Sequence, residues 1–382
     1  MNSLDLTLTG AQVLWPDGMG GGAVHVSDSR ICDAPCGRDV DLAGFLVMPG
    51  IVDVHGDAFE RHLAPRRGAM NQRGEGLVAT EAEIAANGVT TAYLAQFFSW
   101  EGGLRGPEFA DSVFRALAAT QDSLVSDLRG QLRFEIHMLD DYADLPANLA
   151  RWGIDYVIFN DHLPHKKLAA GKRPSGLTAQ ALKAARNPEK HLEMLQTLHA
   201  RRAEVPAALD KVVPELLAMG IRIGSHDDTT AEDRLTWRDQ GARISEFPET
   251  LEAAETARAG GDGIILGAPN VVRGGSHKGN VSGVDLIAMG LCDALASDYH
   301  YPSLRRAALM LADAGVVPLA EAWRLISAGP ARLMGLEDRG RIAPGLRADL
   351  VILDADTRRV AATLAGGRFS YLSGDIAARF IS

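Results

Sequence analysis

Histidines and acids gather at a few points of this chain, with spacing that suits a divalent cation. His55 and Asp57 follow the apolar run Ile51–Val54, itself opened by Pro49 and Gly50. Such a run, β-branched and bounded by turn residues, reads as a buried strand. Residues two apart on a strand share a face, so an imidazole and a carboxylate would leave its tip together, as a pair of metal ligands does. Taken alone, the pattern is as readily a solvated loop. The same residue types recur further along: Glu135 with His137, Asn160-Asp161-His162, Ser225-His226-Asp227-Asp228 and Ser297-Asp298-Tyr299-His300. Each group follows or ends a short apolar run. Charges of one sign converging on one mouth repel unless a cation lies between them. The histidines and acids of these five strand ends are therefore the candidate metal ligands. Oxygen and nitrogen donors without thiolates suit catalytic Zn²⁺, Mn²⁺ or Fe²⁺ better than a structural zinc. These donors exceed the needs of one catalytic ion, so two divalent ions bridged by a carboxylate are expected. The chemistry would be activation of water, with Asp298 as the catalytic group that orients the nucleophile and receives its proton.

The elements that must position these groups alternate strand and helix. Strands are expected at 51–54, 90–95, 132–138, 156–159, 221–224, 243–247, 263–267 and 294–297. Helices are expected between them at about 80–88, 107–129, 145–152, 177–202, 207–219, after Thr229, after Thr250 and at about 282–290, with two more at about 303–314 and 319–327. Thr80-Glu81-Ala82-Glu83 reads as a capping box and Gly88 as a stop. Short apolar strands joined by helices are parallel. Eight units fit an α/β fold of the closed (β/α)₈ TIM-like barrel type, whose active sites lie at the C-terminal strand ends; an open doubly wound sheet is the alternative. Short strands also lie before the barrel (4–8, 12–15, 23–26, 45–48) and after it (350–353, 368–372, 376–380). They imply a small composite β-sandwich built from both termini: residues 1–48 and 339–382, around a hydrolase barrel at 49–338. Gly18 and Gly20–Gly22 resemble a phosphate loop, but no helix follows them, so they read as a β-turn.

Composition narrows the function. The chain has 382 residues, 46% hydrophobic and 23% charged, with a formal charge of −10. That balance argues against general binding to nucleic acid or a membrane surface. Cys32, Cys36 and Cys292 show no metal-binding spacing and read as reduced thiols. No signal peptide and no membrane-spanning run are visible, so a cytoplasmic enzyme is expected. Its partners would be a small anionic substrate and, at most, a second copy of the chain in a homodimer.

Two stretches carry a family likeness. Met48-Pro49-Gly50-Ile51-Val52-Asp53-Val54-His55 and Gly345-Leu346-Arg347-Ala348-Asp349-Leu350-Val351 resemble the opening and closing signatures of the amidohydrolase superfamily, metal-dependent (β/α)₈ hydrolases with a composite β-sandwich. That superfamily usually carries His-x-His on its first strand; here it is His-Gly-Asp. Ser225–Asp228, Glu246–Ala254, Gly267–Asn280 and Ser297–Tyr299 resemble, within it, the PhnM family of the carbon–phosphorus lyase pathway. The resemblance implies hydrolysis of a ribose 5-triphosphate ester, α-D-ribose 1-methylphosphonate 5-triphosphate, to the 5-phosphate and pyrophosphate. It also implies His55, Asp57 and Asp298 on one metal, His162 and His226 on the other, and Glu135 between them. Asp161, Asp227 and His137 would then stand behind the ligands, and Asp53 would be structural.

A triphosphate needs cationic and N–H donors near the metals. Arg273, Ser276, His277, Lys278 and Asn280 follow the seventh strand, where barrels of this kind often bind phosphate. Arg273, His277 and Lys278 are the candidate phosphate ligands. Arg61, His62, Arg66 and Arg67, and also Lys166 and Lys167, could add a positive rim. Trp100, Trp152, Trp237 and Trp323 read as packing residues. Two other functions fit the same chain: a C–N hydrolase such as a deaminase or cyclic amidase, and a non-catalytic nucleotide-binding protein.

Overall fold

The computed structural model describes residues 4–66, 72–274 and 281–381. Its centre is an eight-stranded parallel sheet in sequential order: β1 (Ile51–Gly56), β2 (Val89–Phe98), β3 (Asp127–Glu135), β4 (Tyr156–Asn160), β5 (Arg222–His226), β6 (Ile244–Glu246), β7 (Gly263–Gly267) and β8 (Ala294–Ala296). A parallel bridge between Gly56 and Asp298 joins the last strand to the first. Asp57 N donates to Asp298 O and Asp298 N to His55 O, each at 2.9 Å. The sheet is thus the TIM-like barrel, and its strands are almost wholly buried because helices cover the outside and side chains fill the inside.

Alternation sorts each strand into two faces. In β3, Leu132 and Phe134 pack outward among Phe114, Leu149 and Val212, which leaves Gln131, Arg133 and Glu135 facing the barrel interior. In β5, Ile223 packs outward, so His226 faces inward and Ser225 outward. The alternation is interrupted in β1, whose pairing with β2 shifts register between Asp53 and Gly56. Gly56 is required there: a Cβ would meet Ser297 Oγ at 2.8 Å and Asp53 Oδ2 at 2.9 Å.

Strands from both termini make the second unit. Phe45–Pro49 pairs with Leu350–Asp354 in a six-stranded sheet that runs from Arg368–Leu372 to Gly18–Gly20. A four-stranded sheet of Leu6–Thr9, Val24–Ser27, Arg30–Cys32 and Arg38–Asp41 faces it across one apolar core. This is the composite β-sandwich.

Several expected boundaries differ. Residues 376–380 form a helix, Ile376–Ile381, not a strand. Ile376 and Phe380 lie four apart, and Phe380 packs edge-on against Phe369, so helical spacing places both on the core. Gly18–Gly20 is not a bare turn but the second arm of a hairpin with Gln12–Trp15. Thr80 caps nothing: the helix runs from Arg73 to Ala86, and Thr80 Oγ1 donates to Gly76 O within it. The helix expected to reach 129 stops at Thr120, because β3 already begins at Asp127. Helix 177–202 is two helices, divided where Pro188 opens the second and Asn187 caps it. No described helix is long and apolar enough to cross a membrane.

Candidate active site

The barrel's C-terminal rim brings the separated acids and imidazoles together. His55 and His226 rings stack at 5.6 Å between centroids, and His162 stands 6.0 Å from His226. Asp298 follows β8 and Asp57 follows β1, on the two sides of the seam. Glu135 ends β3 and accepts from His162 Nδ1 in a very short contact, from the His162 backbone N–H at 3.2 Å and from Trp100 Nε1 at 3.3 Å. Trp100 is therefore more than packing.

Glu246, at the end of β6, stands at the middle of this set. His226 Nδ1 lies 2.9 Å from its Oε2, and His55 Nδ1 lies 2.8 Å from the same oxygen. Gln131 Nε2 and Tyr156 OH approach Oε1 at 2.9 and 3.3 Å. Burial alone would protonate this carboxyl, but the two imidazoles hold it well below the usual carboxylate range. Arg133 is the other residue the sequence reading passed over. Its guanidinium is buried, lies over the Phe97 ring at 3.8 Å, and reaches His226 Nε2 at 2.9 Å, Asn160 Oδ1 at 3.3 Å and Asp57 Oδ2 at 3.9 Å. Burial, with Arg133 alongside, lowers the His226 pKa to about 4, so its imidazole is neutral and has lone-pair capacity.

Three of the rim residues that follow strands are non-glycine and left-handed: Asp227, Phe247 and Asp298, with φ of 59°, 58° and 54°. Each costs about 1–3 kcal/mol. In each case the left-handed residue's own N–H donates across to the neighbouring strand, Asp227 to Glu246 O, Phe247 to Ile265 O and Asp298 to His55 O. Strain of this kind stands at the ends of β5, β6 and β8, where the polar side chains meet, while Asp28, Ser29, Ala185 and Arg358 share the conformation elsewhere. Asp298 is itself pushed up to about 6, by burial and by the nearby Asp57 and Glu246 charges, against the pull of His55 and Arg133.

The residues fit a divalent cation. The His55 ring is fully buried, and neither of its nitrogens has a hydrogen-bond partner of good geometry among the described residues; the 2.8 Å approach to Glu246 is off-axis. A buried imidazole left in this way lacks a ligand-type partner. Two groups whose donor atoms lie within 4.8 Å of one another meet here: His55, His226 and Glu246, and His162, His226 and Asp227. His226 belongs to both.

A cavity of about 250 Å³ opens on these groups, with Arg133, His226, Asp298 and Arg273 in its wall. Arg273 donates to Tyr299 OH and Asn270 Oδ1 at its edge. His277 and Lys278, expected to share the phosphate, lie outside the described residues, as do Ser276, Asn280 and Arg67. Arg61 and His62 do not point cationic charge at the mouth: both are paired with Glu83 of the helix after β1. Lys167 is bonded to Ser175, while Lys166 lines a groove that continues past His226 and Asp227. Asp53, fully buried, accepts from Ser297 Oγ at 2.6 Å and from the backbone N–H of Ser297 and of His55, tying β1 to β8. Trp152 packs in the helix layer, Trp237 stacks on Phe159, and Trp323 donates to Pro49 O.

Comparison with known proteins agrees with this architecture. The model of the amidohydrolase family matches residues 283–374. The chain is 31% identical over 334 residues to alpha-D-ribose 1-methylphosphonate 5-triphosphate diphosphatase of Escherichia coli K12, spanning 85% of this chain and 86% of that protein. A shorter likeness, 49% over 75 residues, links 19% of this chain to 13% of an adenine deaminase of Methylobacterium. In three dimensions the chain superposes on a Xaa-Pro dipeptidase with bound methionine in its active site, with a TM-score of 0.65, 14% identity, and 97% and 100% of the two chains covered.

Proposed function

The chain belongs to the amidohydrolase superfamily, and on that premise we propose that it is a metal-dependent diphosphatase of phosphonate catabolism. Its substrate on this reading is α-D-ribose 1-methylphosphonate 5-triphosphate, cleaved at a phosphoanhydride to the 5-phosphate and pyrophosphate in the cytoplasm. The observation that carries the reading is the likeness to the Escherichia coli diphosphatase over most of both chains. The mouth supports it, since Arg133 and Arg273 share one cavity with the acids and imidazoles, as a polyanionic substrate needs.

His55, Asp57 and Asp298 would hold one ion and His162 and His226 a second, with Glu135 between them and Glu246 orienting His55 and His226. Divalent ions there, Zn²⁺, Mn²⁺ or Fe²⁺, would polarise the scissile phosphoryl group and make water acidic. Asp298, buried at the rim beside Asp57 and His55, would take the proton of the attacking water. Arg133, dry and fixed over Phe97, meets negative charge that grows on the phosphoryl oxygens. Arg273 at the cavity edge neutralises the departing pyrophosphate; His277 and Lys278 are assigned the same task from the sequence pattern alone.

The short likeness to adenine deaminase favours a second reading, hydrolysis of a C–N bond. A pyrophosphate-release assay across ribose and nucleoside triphosphates, run beside adenine and cyclic amides, separates the two. Pyrophosphate from the triphosphate ester, lost in His226→Ala, is the expected result. Ammonia or amide cleavage without pyrophosphate would establish the second reading.

A further inference from the structure

Outside the barrel mouth a second group of side chains meets, which the reading above leaves without a task. His137 lies two residues beyond β3, Asp161 one residue beyond β4, and His165 opens the short helix His165–Ala169. His137 Nε2 is 3.2 Å from Asp161 Oδ1 and 3.1 Å from His165 Nε2. His165 Nε2 is 3.1 and 3.0 Å from the two Asp161 oxygens. Two imidazole nitrogens and a carboxylate oxygen thus form a triangle with edges near 3 Å.

Protons alone satisfy this triangle poorly. If both rings donate to Asp161, their N–H groups crowd each other across 3.1 Å. If one ring is deprotonated, its lone pair faces a carboxylate oxygen at about the same separation. A cation removes the conflict, because all three atoms then turn lone pairs toward it. With zinc–ligand bonds of about 2.0–2.1 Å, a tetrahedral edge is about 3.3 Å, so little adjustment is needed. The rings are also held. His137 is 2% exposed and cannot swing away. His165 Nδ1 lies 2.8 Å from His199 Nδ1, the outer partner that orients a ligating imidazole.

We propose that His137, Asp161 and His165 bind a divalent cation of the zinc type, distinct from the ions of the mouth. A groove runs past Asp161 and His165 to His226 and Asp227, with Lys166 in its wall. The ion adds positive charge along this approach to the mouth, and its fourth position is free for water or an anionic oxygen. The assignment does not depend on which substrate the mouth cleaves.

Chelator-treated full-length protein, titrated with Co²⁺ and Zn²⁺ by calorimetry and Co²⁺ absorption, tests it. Wild type is expected to bind one equivalent more than His165→Ala, or to bind that equivalent at least about 10-fold more tightly. His55→Ala should keep it. Equal stoichiometry and affinity in folded wild type and His165→Ala, or no binding by wild type, overturns the proposal. Should His165→Ala fail to melt cooperatively, Asp161→Asn in the same titration decides by the same criterion.

Discussion

Strands β5 and β6 carry buried charge on both faces, and the two faces handle it differently. On the outer face Arg234, fully buried, donates to Asp228 Oδ2 at 3.0 Å, Ser225 Oγ at 2.7 Å and Ala242 O at 2.6 Å, and lies 3.3 Å from Asp262 Oδ2. Ser245 Oγ adds a bond to Asp228 Oδ2. The opposing charges are supplied by the chain itself. One residue along each strand, on the inner face, His226 and Glu246 meet His55, whose nitrogens find no well-aligned partner among the described residues. The outer cluster is paired in charge, although Arg234 Nε, Asp228 Oδ1 and Asp262 Oδ2 also lack a well-aligned hydrogen-bond partner among the described residues; the inner one gathers Asp57, Glu246 and Asp298 around Arg133 and neutral imidazole. Buried polarity therefore points to function where acids and imidazoles outnumber the cations the chain sets against them.

That contrast can be broken by mutation. Arg234→Met should have the largest effect, because it leaves Asp228 buried without a cation and Asp262 with Arg238 as its near partner, a loss of about 3–5 kcal/mol. Urea unfolding of the metal-free protein should show it, with metal stoichiometry of the folded fraction unchanged; a change in stoichiometry would mean the two faces are coupled. Next comes Glu60, beside the mouth, whose Oε1 has no partner among the described residues and whose pKa burial raises to about 7, with Asp57 adding and Arg105 opposing. A carboxyl with a folded pKa above its unfolded 4.5 destabilises the fold once charged. Stability should fall as pH rises from about 4.5 to 7 and then level off, by up to about 3 kcal/mol. Glu60→Gln should flatten that stretch and be neutral below pH 4.5; an unchanged slope refutes the assignment. Smallest in energy, Glu246→Gln should lower activity or metal affinity about 10- to 100-fold through misoriented His55 and His226. Its unfolding free energy should move less than that of Arg234→Met, and a larger loss would place Glu246 with the structural charges.

The barrel and the terminal sandwich were legible because their strands are short apolar runs with clear turn residues, and period-two runs survive most tertiary contexts. His55, His226 and Asp298 were legible because each follows such a run. Glu246 was not, since Ser245-Glu246-Phe247 offers one acid without a neighbouring ligand type, and its importance comes from histidines 20 and 191 residues away. Arg133 carried a usable signal. Polar Gln131, Arg133 and Glu135 alternate with Leu132 and Phe134, and in a strand covered on both sides a polar stripe must face the barrel's interior. Trp100 carried none: its bond to Glu135 depends on a loop path that no local pattern encodes. The helix at 376–381 was not legible because its two core-facing residues, Ile376 and Phe380, lie four apart, a spacing that fits either period.

The seam between β1 and β8 has a consequence for how the molecule is made. Asp53 and Ser297, bonded across it, are 244 residues apart, and the backbone bonds of His55, Asp57 and Asp298 close the same junction. During synthesis, which proceeds from the N-terminus, His55 and Asp57 emerge long before Asp298 exists. Pairing of such distant segments is the slow part of folding. The nascent chain can therefore hold only fragments of the candidate ion-binding set, and the barrel mouth is assembled at the moment the ring of strands is sealed.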